Sequence, residues 1–394
     1  MSGEIARWRR EASRKRLLWL GLATLALCGI GSLINPQQFF HSYLAAYVFW
    51  LGIPLGSLAL LMLHHLVGGR WGFVIQRLLE AAIQTFPVMA LLFLPVLFGM
   101  SDLYPWARPE VVASQPALQS KTPYLNLPFF LARAALYFAV WISLGRFLRK
   151  WSVQQDRTAD GRLTLRLQRL SGPGLMLYAL TVTFSTIDWI MSLEPLWTST
   201  IFGMIFMVSY GLSALAFVII VSGLLADEGP LGRVMSPGRF HDLGNLLLAL
   251  VMFWAYLNFS QFLLIWAENL PEEIPWYLHR LRGGWEWIAL SLIVFLFALP
   301  FVLLLSRATK RRAWALSRVS AAILLMHWIN LAWMVVPSFH PGQFHVHWLD
   351  IAAPIGVGGV WLALFIHYLN PNAHSLLPLH DPRFTELLEP AREA

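Results

Sequence analysis

The stretch WTSTIFGMIFMVSYGLSALAFVIIVSGLL, residues 197–225, contains no charged residue and is dominated by apolar and small side chains. An α-helix rises about 1.5 Å per residue, so about 20 such residues are enough to cross the hydrocarbon core of a bilayer. The stretch lacks the strict alternation of apolar and polar residues that marks a membrane β-strand. It therefore predicts a membrane-spanning helix.

Similar runs recur on both sides of this stretch, separated by short polar segments. The chain of 394 residues is 57% hydrophobic and only 13% charged, whereas soluble domains carry about 25% charged residues. The sequence thus predicts an all-α integral membrane protein, with residues 1–394 forming a single membrane domain. We predict ten transmembrane helices at residues 17–34, 43–67, 78–100, 127–150, 173–193, 197–225, 241–268, 284–306, 313–336 and 348–369.

The distribution of basic residues predicts the orientation of these helices. If the N-terminus is cytoplasmic, 24 of the 29 Lys and Arg residues fall in cytoplasmic segments. Those that fall outside are Arg108, Lys121, Arg280 and Arg282, while Arg133 lies within a predicted helix. Cytoplasmic loops of membrane proteins are enriched in Lys and Arg, so we expect both termini in the cytoplasm. The net charge of +8 then reflects topology and anionic lipids rather than nucleic-acid binding.

Three shorter segments carry further expectations. The basic start at residues 7–16 is followed by an apolar run without a small-residue cleavage site, which is typical of a signal anchor. Residues 162–170 place leucines on one helical face and arginines opposite, which favours a helix lying on the membrane surface, although a period of two fits as well. The loop at residues 101–126 contains four prolines. We expect it to be irregular and to offer a docking surface for an extracytoplasmic partner.

Ionisable residues within membrane helices are costly and commonly functional. Asp188 lies about 9 Å before Glu194 along its helix, and Arg133 sits at a comparable depth on the preceding antiparallel helix. The sequence therefore predicts an Asp188–Arg133 pair. A purely structural ion pair and a part in proton transfer or quinol binding both remain open.

Other polar residues within the predicted helices form short groups at helical spacing. Asn258, Gln261 and Glu268 share one stripe of the seventh helix, and Asp242 lies on a different face. For the amides, helix packing is an alternative role, and His64 at a helix end can simply reach the interface. The complete candidate proton path comprises His64, Glu80, Gln84, Arg133, Asp188, Glu194, Asp242, Asn258, Gln261, Glu268, His327 and Asn330.

The sequence offers few cofactor ligands of its own. The lone Cys28 excludes an intrachain disulfide, a cysteine-ligated iron–sulfur cluster and a covalently attached c-type haem. His327 is central in its helix whereas His64 is at a helix end, so no pair of histidines suits a b-type haem. A metal at His340, His345 and His347 would lack further ligands in a fixed element. We predict no metal site and no certain catalytic residue.

Two stretches resemble a known family. Residues 181–203, TVTFSTIDWIMSLEPLWTSTIFG, and residues 253–277, FWAYLNFSQFLLIWAENLPEEIPWY, are similar to the ActF-like membrane subunits of bacterial alternative complex III, a quinol:cytochrome c (or other acceptor) oxidoreductase. These are NrfD-like, polysulfide-reductase-type subunits that are commonly labelled quinone-binding. The region from His327 to His340 agrees with the resemblance. Asp188 and Glu194 belong to the shared motif.

The resemblance implies two four-helix bundles, formed by helices two to five and six to nine, with helices one and ten outside them. It also implies a location in the bacterial inner (plasma) membrane. The implied partners are a multihaem cytochrome c, an iron–sulfur protein, the paralogous NrfD-like subunit ActC and small membrane subunits. The c-type haems and iron–sulfur clusters would belong to these partners, and quinone is the one ligand in question for this chain.

The expected function is membrane anchoring with proton conduction or quinone binding in respiratory or photosynthetic electron transport. Whether the chain is a non-catalytic or a quinone-binding subunit stays open. One alternative is a standalone secondary transporter, although such folds often show broken helices at equivalent points of two halves. The other alternative is the ActC-like paralogue, which would carry the quinol-oxidation site itself.

Overall fold

The computed structural model describes residues 2–158, 160–226, 235–369 and 377, without the side chains of residues 2–10 and 70. Within these residues ten helices are long and apolar enough to cross a membrane, which makes the chain a multi-pass membrane protein and confirms the predicted count. Arg233, Arg383 and Arg392, which entered the charge count, lie outside the described residues. In chain order, spans 1 to 10 are Glu11–Ile34, Pro36–Val67, Trp71–Phe98, Leu127–Thr158, Arg162–Leu193, Phe202–Leu224, Pro237–Glu268, Trp285–Leu305, Ala313–Ser338 and Trp348–Tyr368.

Span 2 begins seven residues earlier than predicted because its polar first turns are satisfied within the protein. The Asn35 side chain caps the helix by accepting a hydrogen bond from the Gln38 backbone N–H at 3.1 Å. The Ser42 hydroxyl donates to Asp350 of span 10 at 2.6 Å. The polar residues before residue 43 predict the end of the hydrocarbon segment, whereas the helix of span 2 includes them.

The predicted surface helix at residues 162–170 is wrong. One continuous helix runs over Arg162–Trp189, and the amphipathic segment is the N-terminal end of span 5. Leu163 and Leu167 are buried there, and Gln155 of span 4 donates to Thr164 at 2.6 Å. Spans 4 and 5 have 32 residues each, about 48 Å of helix against about 30 Å of hydrocarbon. Each of these helices is therefore longer than the hydrocarbon core is thick.

The connections between spans are also more helical than expected. The expectation of an irregular loop at residues 101–126 is wrong, because prolines occupy the first helical positions of its short helices, where a missing N–H costs least. Span 6 begins at Phe202 rather than residue 197, because the turn after Pro195 precedes it. The short helices are Met100–Leu103, Pro105–Ala107, Pro109–Ser114, Pro116–Gln119, Met191–Leu193, Ile274–Arg280, Arg307–Arg311 and Val336–Ser338.

Two spans are interrupted. Span 3 consists of Arg70–Ile83, Phe86–Leu91 and Leu94–Phe98, with Pro87 and Pro95 just after the two breaks. A proline removes a helical hydrogen bond and clashes with the preceding turn, which accounts for these breaks. Span 8 contains a π-helical segment, Ile293–Ala298.

Spans 2 and 6 form the buried centre of the molecule. Their contact is close at Gly56, where an added Cβ would lie 1.9 Å from the Tyr210 carbonyl oxygen. Span 1 packs mainly on span 10 through glycines, since a Cβ at Gly21 would lie 2.6 Å from the Val360 nitrogen and one at Gly359 would lie 2.7 Å from the Gly21 Cα. Spans 1, 7 and 8 are the least buried and expose apolar side chains, as lipid-facing helices do.

Candidate functional site

A stripe of residues on span 4 connects the polar groups in the first half of the molecule. Arg133, Tyr137, Trp141, Gly145 and Arg149 follow one another at a spacing of four, so they lie one above another on the same helical face. The first four are buried and Arg149 is largely buried. The two arginines are 16 residues apart, about 24 Å along the helix axis. Each binds a carboxylate from a neighbouring span.

At the end of the stripe nearest the 101–126 loop, Arg133 binds Asp188 of span 5. The guanidinium donates through Nε to Oδ2 at 2.8 Å and through Nη2 to Oδ1 at 2.9 Å. Tyr137, one turn along span 4, donates its hydroxyl to Oδ2 at 2.7 Å. Asp188 is fully buried, so this two-point contact with the arginine fork compensates its charge. The predicted Asp188–Arg133 pair is thus present.

The rest of the Arg133 guanidinium is also satisfied. Its Nη1 donates to the Tyr124 carbonyl oxygen at 2.9 Å. The group lies over the Tyr124 ring at 3.9 Å and over the Phe129 ring at 4.3 Å from their centroids, which adds cation–π attraction. Burial and the Asp188 charge raise the pKa of Tyr124 above its ordinary value, so its phenol stays protonated. The ion pair therefore ties the 101–126 loop to spans 4 and 5.

At the opposite end of the stripe, Glu80 of span 3 is fully buried and contacts two arginines. Arg77 donates to its Oε2 at 2.5 Å, and Arg149 of span 4 donates to the same oxygen. The other oxygen accepts from the Ser152 hydroxyl at 2.5 Å and from Gln76 at 3.0 Å. Each carboxylate oxygen of Glu80 thus accepts two hydrogen bonds.

A second acid completes this cluster, the Glu80 cluster. Arg77 also donates to Asp156, which is partly exposed at the end of span 4. Two arginines, Arg77 and Arg149, therefore face two carboxylates, Glu80 and Asp156. The formal charges balance, which is the condition under which buried ions are tolerated.

The two ion clusters are separated by a stretch with fewer polar contacts. Trp141 donates its indole N–H to the Thr181 hydroxyl at 2.9 Å, and Gln84 donates to the Gly145 carbonyl oxygen at 3.3 Å. An indole N–H only donates, so Trp141 cannot pass a proton onward. Within the described part of the chain, no direct hydrogen bond joins Glu80 to Asp188. The stripe therefore provides polar groups at intervals rather than a continuous wire.

Glu194 belongs to a third cluster, which joins the two halves of the molecule. Arg280 lies 2.9 Å from its Oε1, and the Ser338 hydroxyl donates to the same oxygen at 2.7 Å. The His279 Nδ1 is 3.5 Å from Oε2. Burial lowers the pKa of Arg280 and the Glu194 charge opposes that shift, yet an arginine remains protonated at neutral pH.

Arg280 is anchored by several further groups. It donates to the Met334 carbonyl oxygen at 2.7 Å and to the Ser338 hydroxyl at 2.8 Å. Its guanidinium lies 3.9 Å from the centroid of the Trp276 ring. Because these partners come from span 9 and from the connection between spans 7 and 8, the cluster fixes both to the turn after span 5.

The predicted polar residues of span 7 do not meet in one site. Asn258 donates to the Trp254 carbonyl oxygen of its own helix at 2.8 Å. Gln261 is buried and accepts from the Ser199 hydroxyl at 2.5 Å. Glu268 and Asp242 are exposed at the two ends of the helix. The structure therefore brings Gln261 to the turn before span 6 and leaves the other members apart.

The remaining candidates lie at two other depths. His64 is buried beside span 3, where its ring meets Phe73 edge to face at 4.7 Å and a Cβ on Gly72 would approach its Nδ1 to 2.0 Å. His327 is buried on span 9, with its ring 6.3 Å from that of Phe49 on span 2. Asn330, one turn further, is buried too.

The histidines near span 10 lie close together. The rings of His340 and His345 are 4.5 Å apart, those of His345 and His347 are 6.3 Å apart, and His41 lies 5.9 Å from His340. Over residues 2–158, 160–226 and 235–369, no group of three or more His, Cys, Asp or Glu side chains is arranged to hold a metal ion. Cys28 is buried in span 1.

Several members of the clusters were missed from the sequence. Arg77, Arg149 and Arg280 were counted only as loop charges that report topology, whereas each binds a buried or partly buried carboxylate. Tyr137 and Ser152 were overlooked because neither is ionisable near neutral pH. The repeat of polar and small residues every four positions from Arg133 to Arg149 was the available signal.

No known protein-family model matches the chain. No curated protein shows significant similarity to it either. The function proposed below therefore depends on the sequence motifs and on the arrangement of the buried charges.

Proposed function

We propose that this chain is an ActF-like membrane subunit of a bacterial quinol:acceptor oxidoreductase of the alternative complex III type. Its role is to anchor the complex and to conduct protons through spans 3, 4 and 5. In this proposal the chain lies in the plasma membrane with both termini in the cytoplasm. The excess of Lys and Arg in the segments assigned to that side supports the orientation.

The pattern of helix contacts supports the two-bundle arrangement. Spans 2, 3, 4 and 5 contact one another in a ring, and spans 6, 7, 8 and 9 do the same. Spans 2 and 6 join the two groups, while span 1 is held by span 10. This is the layout that the resemblance to NrfD-like subunits implies.

The observation that carries the proton-conducting role is the pairing of one carboxylate with each end of the span 4 stripe. Glu80 and Asp188 are fully buried and lie on spans that both contact span 4. Ionisable groups inside membrane helices commonly mark proton or ion pathways. Tyr137, Thr181 and Gln84 supply hydroxyl and amide groups in the interval.

The electron-transferring groups belong to partner subunits in this proposal. The sequence contains one cysteine, so the chain lacks the ligands for an iron–sulfur cluster or a covalently attached haem. The expected partners are a multihaem cytochrome c, an iron–sulfur protein and the ActC paralogue. Quinol oxidation would occur beside those cofactors, and the membrane subunit would couple it to proton movement.

The decisive experiment uses the whole complex in proteoliposomes, with quinol oxidation and internal pH measured together. We expect Asp188→Asn and Glu80→Gln to reduce the protons moved per quinol oxidised more than they reduce quinol oxidation. Glu268→Gln tests the contribution of span 7 separately. Glu272→Gln removes an exposed loop carboxylate outside the candidate set and serves as the control. Unchanged proton movement in both buried-carboxylate variants would exclude the conducting role.

Co-purification separates this proposal from the alternatives. An affinity-tagged chain should carry a multihaem cytochrome through purification if it is a complex subunit, whereas a standalone transporter should not. An ActC-like role would instead require that quinone be bound at this chain, beside the iron–sulfur partner. The breaks in span 3 and the π-helical segment of span 8 occupy different places in their bundles, which favours the subunit over a transporter built from two equivalent halves.

A further inference from the structure

A cavity of about 240 Å³ opens near the end of span 5, beside the loop segment that contacts Arg133. Its walls come from the loop before span 4, from the end of span 5 and from the turn after it, and they are mostly apolar. Ile187, Met191, Pro195 and Leu125 supply apolar surface. Among the described residues that line it, Lys121 is the one charged side chain.

Lys121 is held at this cavity by one hydrogen bond. Its ammonium donates to the Pro195 carbonyl oxygen at 2.6 Å. An ammonium has three N–H donors, so two remain for a ligand. Partial burial lowers the pKa of Lys121, which indicates that its charge is less hydrated than that of an open surface lysine. No carboxylate lines the cavity with it in the described residues.

The position of the cavity at the end of span 5 is consistent with the headgroup level of a membrane. The helical part of span 5 ends at Trp189, and the cavity is bounded by Trp197, a residue type that concentrates at the membrane–water interface. Trp197 is buried, and its indole N–H has no hydrogen-bond acceptor in the described structure. The site therefore combines an anchored cation, a spare donor and apolar walls at one interface.

An exposed apolar stripe leads from the cavity into the membrane. Below Met191 and Ile187, the same face of span 5 continues with Phe184, Leu180 and Leu177, all three exposed. The spacing of three and four residues keeps them on one side of the helix. From Met191 to Leu177 the stripe is about 21 Å long, enough to cover one leaflet of a hydrocarbon core about 30 Å thick.

We propose that this cavity and stripe bind one anionic phospholipid, with its phosphate on Lys121 and an acyl chain along span 5. The phosphate supplies a negative charge and acceptor oxygens that pair with the Lys121 ammonium. The acyl chain covers the exposed stripe. A quinone carbonyl oxygen can also accept a hydrogen bond from the ammonium, but a neutral quinone carries no negative charge to offset that of Lys121. The proposal is independent of the quinol oxidoreductase function, since it requires only a membrane.

The lipid also has a structural consequence. Tyr124 lines the cavity, and its carbonyl oxygen accepts a hydrogen bond from Arg133. A bound lipid would therefore hold the loop segment that covers the Arg133–Asp188 pair. We expect removal of the lipid to loosen this segment while leaving the Glu80 cluster unchanged.

Native mass spectrometry of the detergent-purified protein, with any subunits that co-purify, tests the proposal by titration with phosphatidylglycerol and with phosphatidylethanolamine. One basic residue near an anionic lipid surface contributes about fivefold in affinity. We expect Lys121→Gln to weaken phosphatidylglycerol retention by about that factor. Thr198→Phe, which fills the cavity from its exposed rim, should reduce retention of both lipids.

The control is Arg282→Gln, which removes an exposed cation from a different loop at the same end of the molecule. It should retain phosphatidylglycerol as the unsubstituted protein does. Equal retention in all three variants, or an equal loss in Arg282→Gln, would overturn the proposal. Loss of a co-purified quinone in Thr198→Phe, without any change in phospholipid retention, would also overturn it in favour of a quinone site.

Discussion

Arg133 holds both carboxylate oxygens of Asp188, at 2.8 Å and 2.9 Å, across the contact between spans 4 and 5. The pair lies inside a membrane helix bundle, where an uncompensated charge is far more costly than a compensated one. Its two members come from adjacent antiparallel helices, so the contact also fixes the relative height of those helices.

We expect Arg133→Leu to lower the free energy of unfolding by about 3–5 kcal/mol, because it leaves the Asp188 charge buried without its partner. The double substitution Arg133→Leu with Asp188→Leu should recover part of that loss, since neither charge is then left alone. Thermal unfolding in detergent measures both variants. A double variant no more stable than the single one would show that the ion pair is not the source of the loss.

Glu80 and Glu268 allow the stability effects of a buried and an exposed carboxylate to be compared within this chain. Glu80→Gln removes a fully buried charge that faces Arg77 and Arg149, and we expect a loss of about 3–5 kcal/mol. Glu268→Gln removes an exposed carboxylate at the end of span 7, where surface substitutions usually stay within about 0.5 kcal/mol. The unfolding midpoints of the two variants, measured side by side, check the difference. Similar midpoints would contradict the stabilising role of the Glu80 cluster.

The contact between spans 2 and 6 allows an equally close control. An added methyl group at Gly56 would meet the Tyr210 carbonyl oxygen at 1.9 Å, whereas at Gly211 it would meet nothing within 4 Å. We expect Gly56→Ala to cost about 1–3 kcal/mol by forcing the helices apart. Gly211→Ala should be neutral or slightly stabilising, since alanine favours a helix. Comparable losses in both would show that the effect arises from the helix itself rather than from the contact.

His340 predicts a dependence of stability on pH. Burial and the neighbouring His345 lower its pKa below the ordinary value of 6.5, while Asp350 opposes the shift. The unfolded chain then binds this proton more readily, so the free energy of unfolding falls as pH drops from 6.5 toward the lowered pKa. Unfolding midpoints measured at pH values on both sides of this window should show the loss, and His340→Gln should reduce it. An unchanged pH dependence in His340→Gln would exclude this histidine as the cause.

The ten spans were predictable because the membrane requires long uncharged runs, and those runs are visible without a structure. The Arg133–Asp188 pair was predictable as well, since depth along antiparallel helices follows from residue counts. The boundaries of spans 2 to 5 were not. Charged residues end the hydrocarbon segment, yet the helices continue through them when another part of the protein supplies a partner, as Asp156 of span 4 does for Arg77.

The Glu80 cluster could not be predicted from the sequence for a related reason. Arg149 has the same sequence context as an interfacial charge that simply reaches the headgroups. What distinguishes it is the approach of span 3 to span 4, which depends on helix packing rather than on hydropathy. Likewise, nothing in the sequence near Arg280 indicates that it forms an ion pair with Glu194, 86 positions earlier.

The glycine contact between spans 1 and 10 has a consequence for biosynthesis. A ribosome delivers the spans to the membrane in chain order, so the face of span 1 around Gly21 is made well before its partner around Gly359. During synthesis of the eight intervening helices, that narrow face has only lipid, span 2 or a helper protein to cover it. Span 1 therefore completes its packing only when span 10 has been inserted.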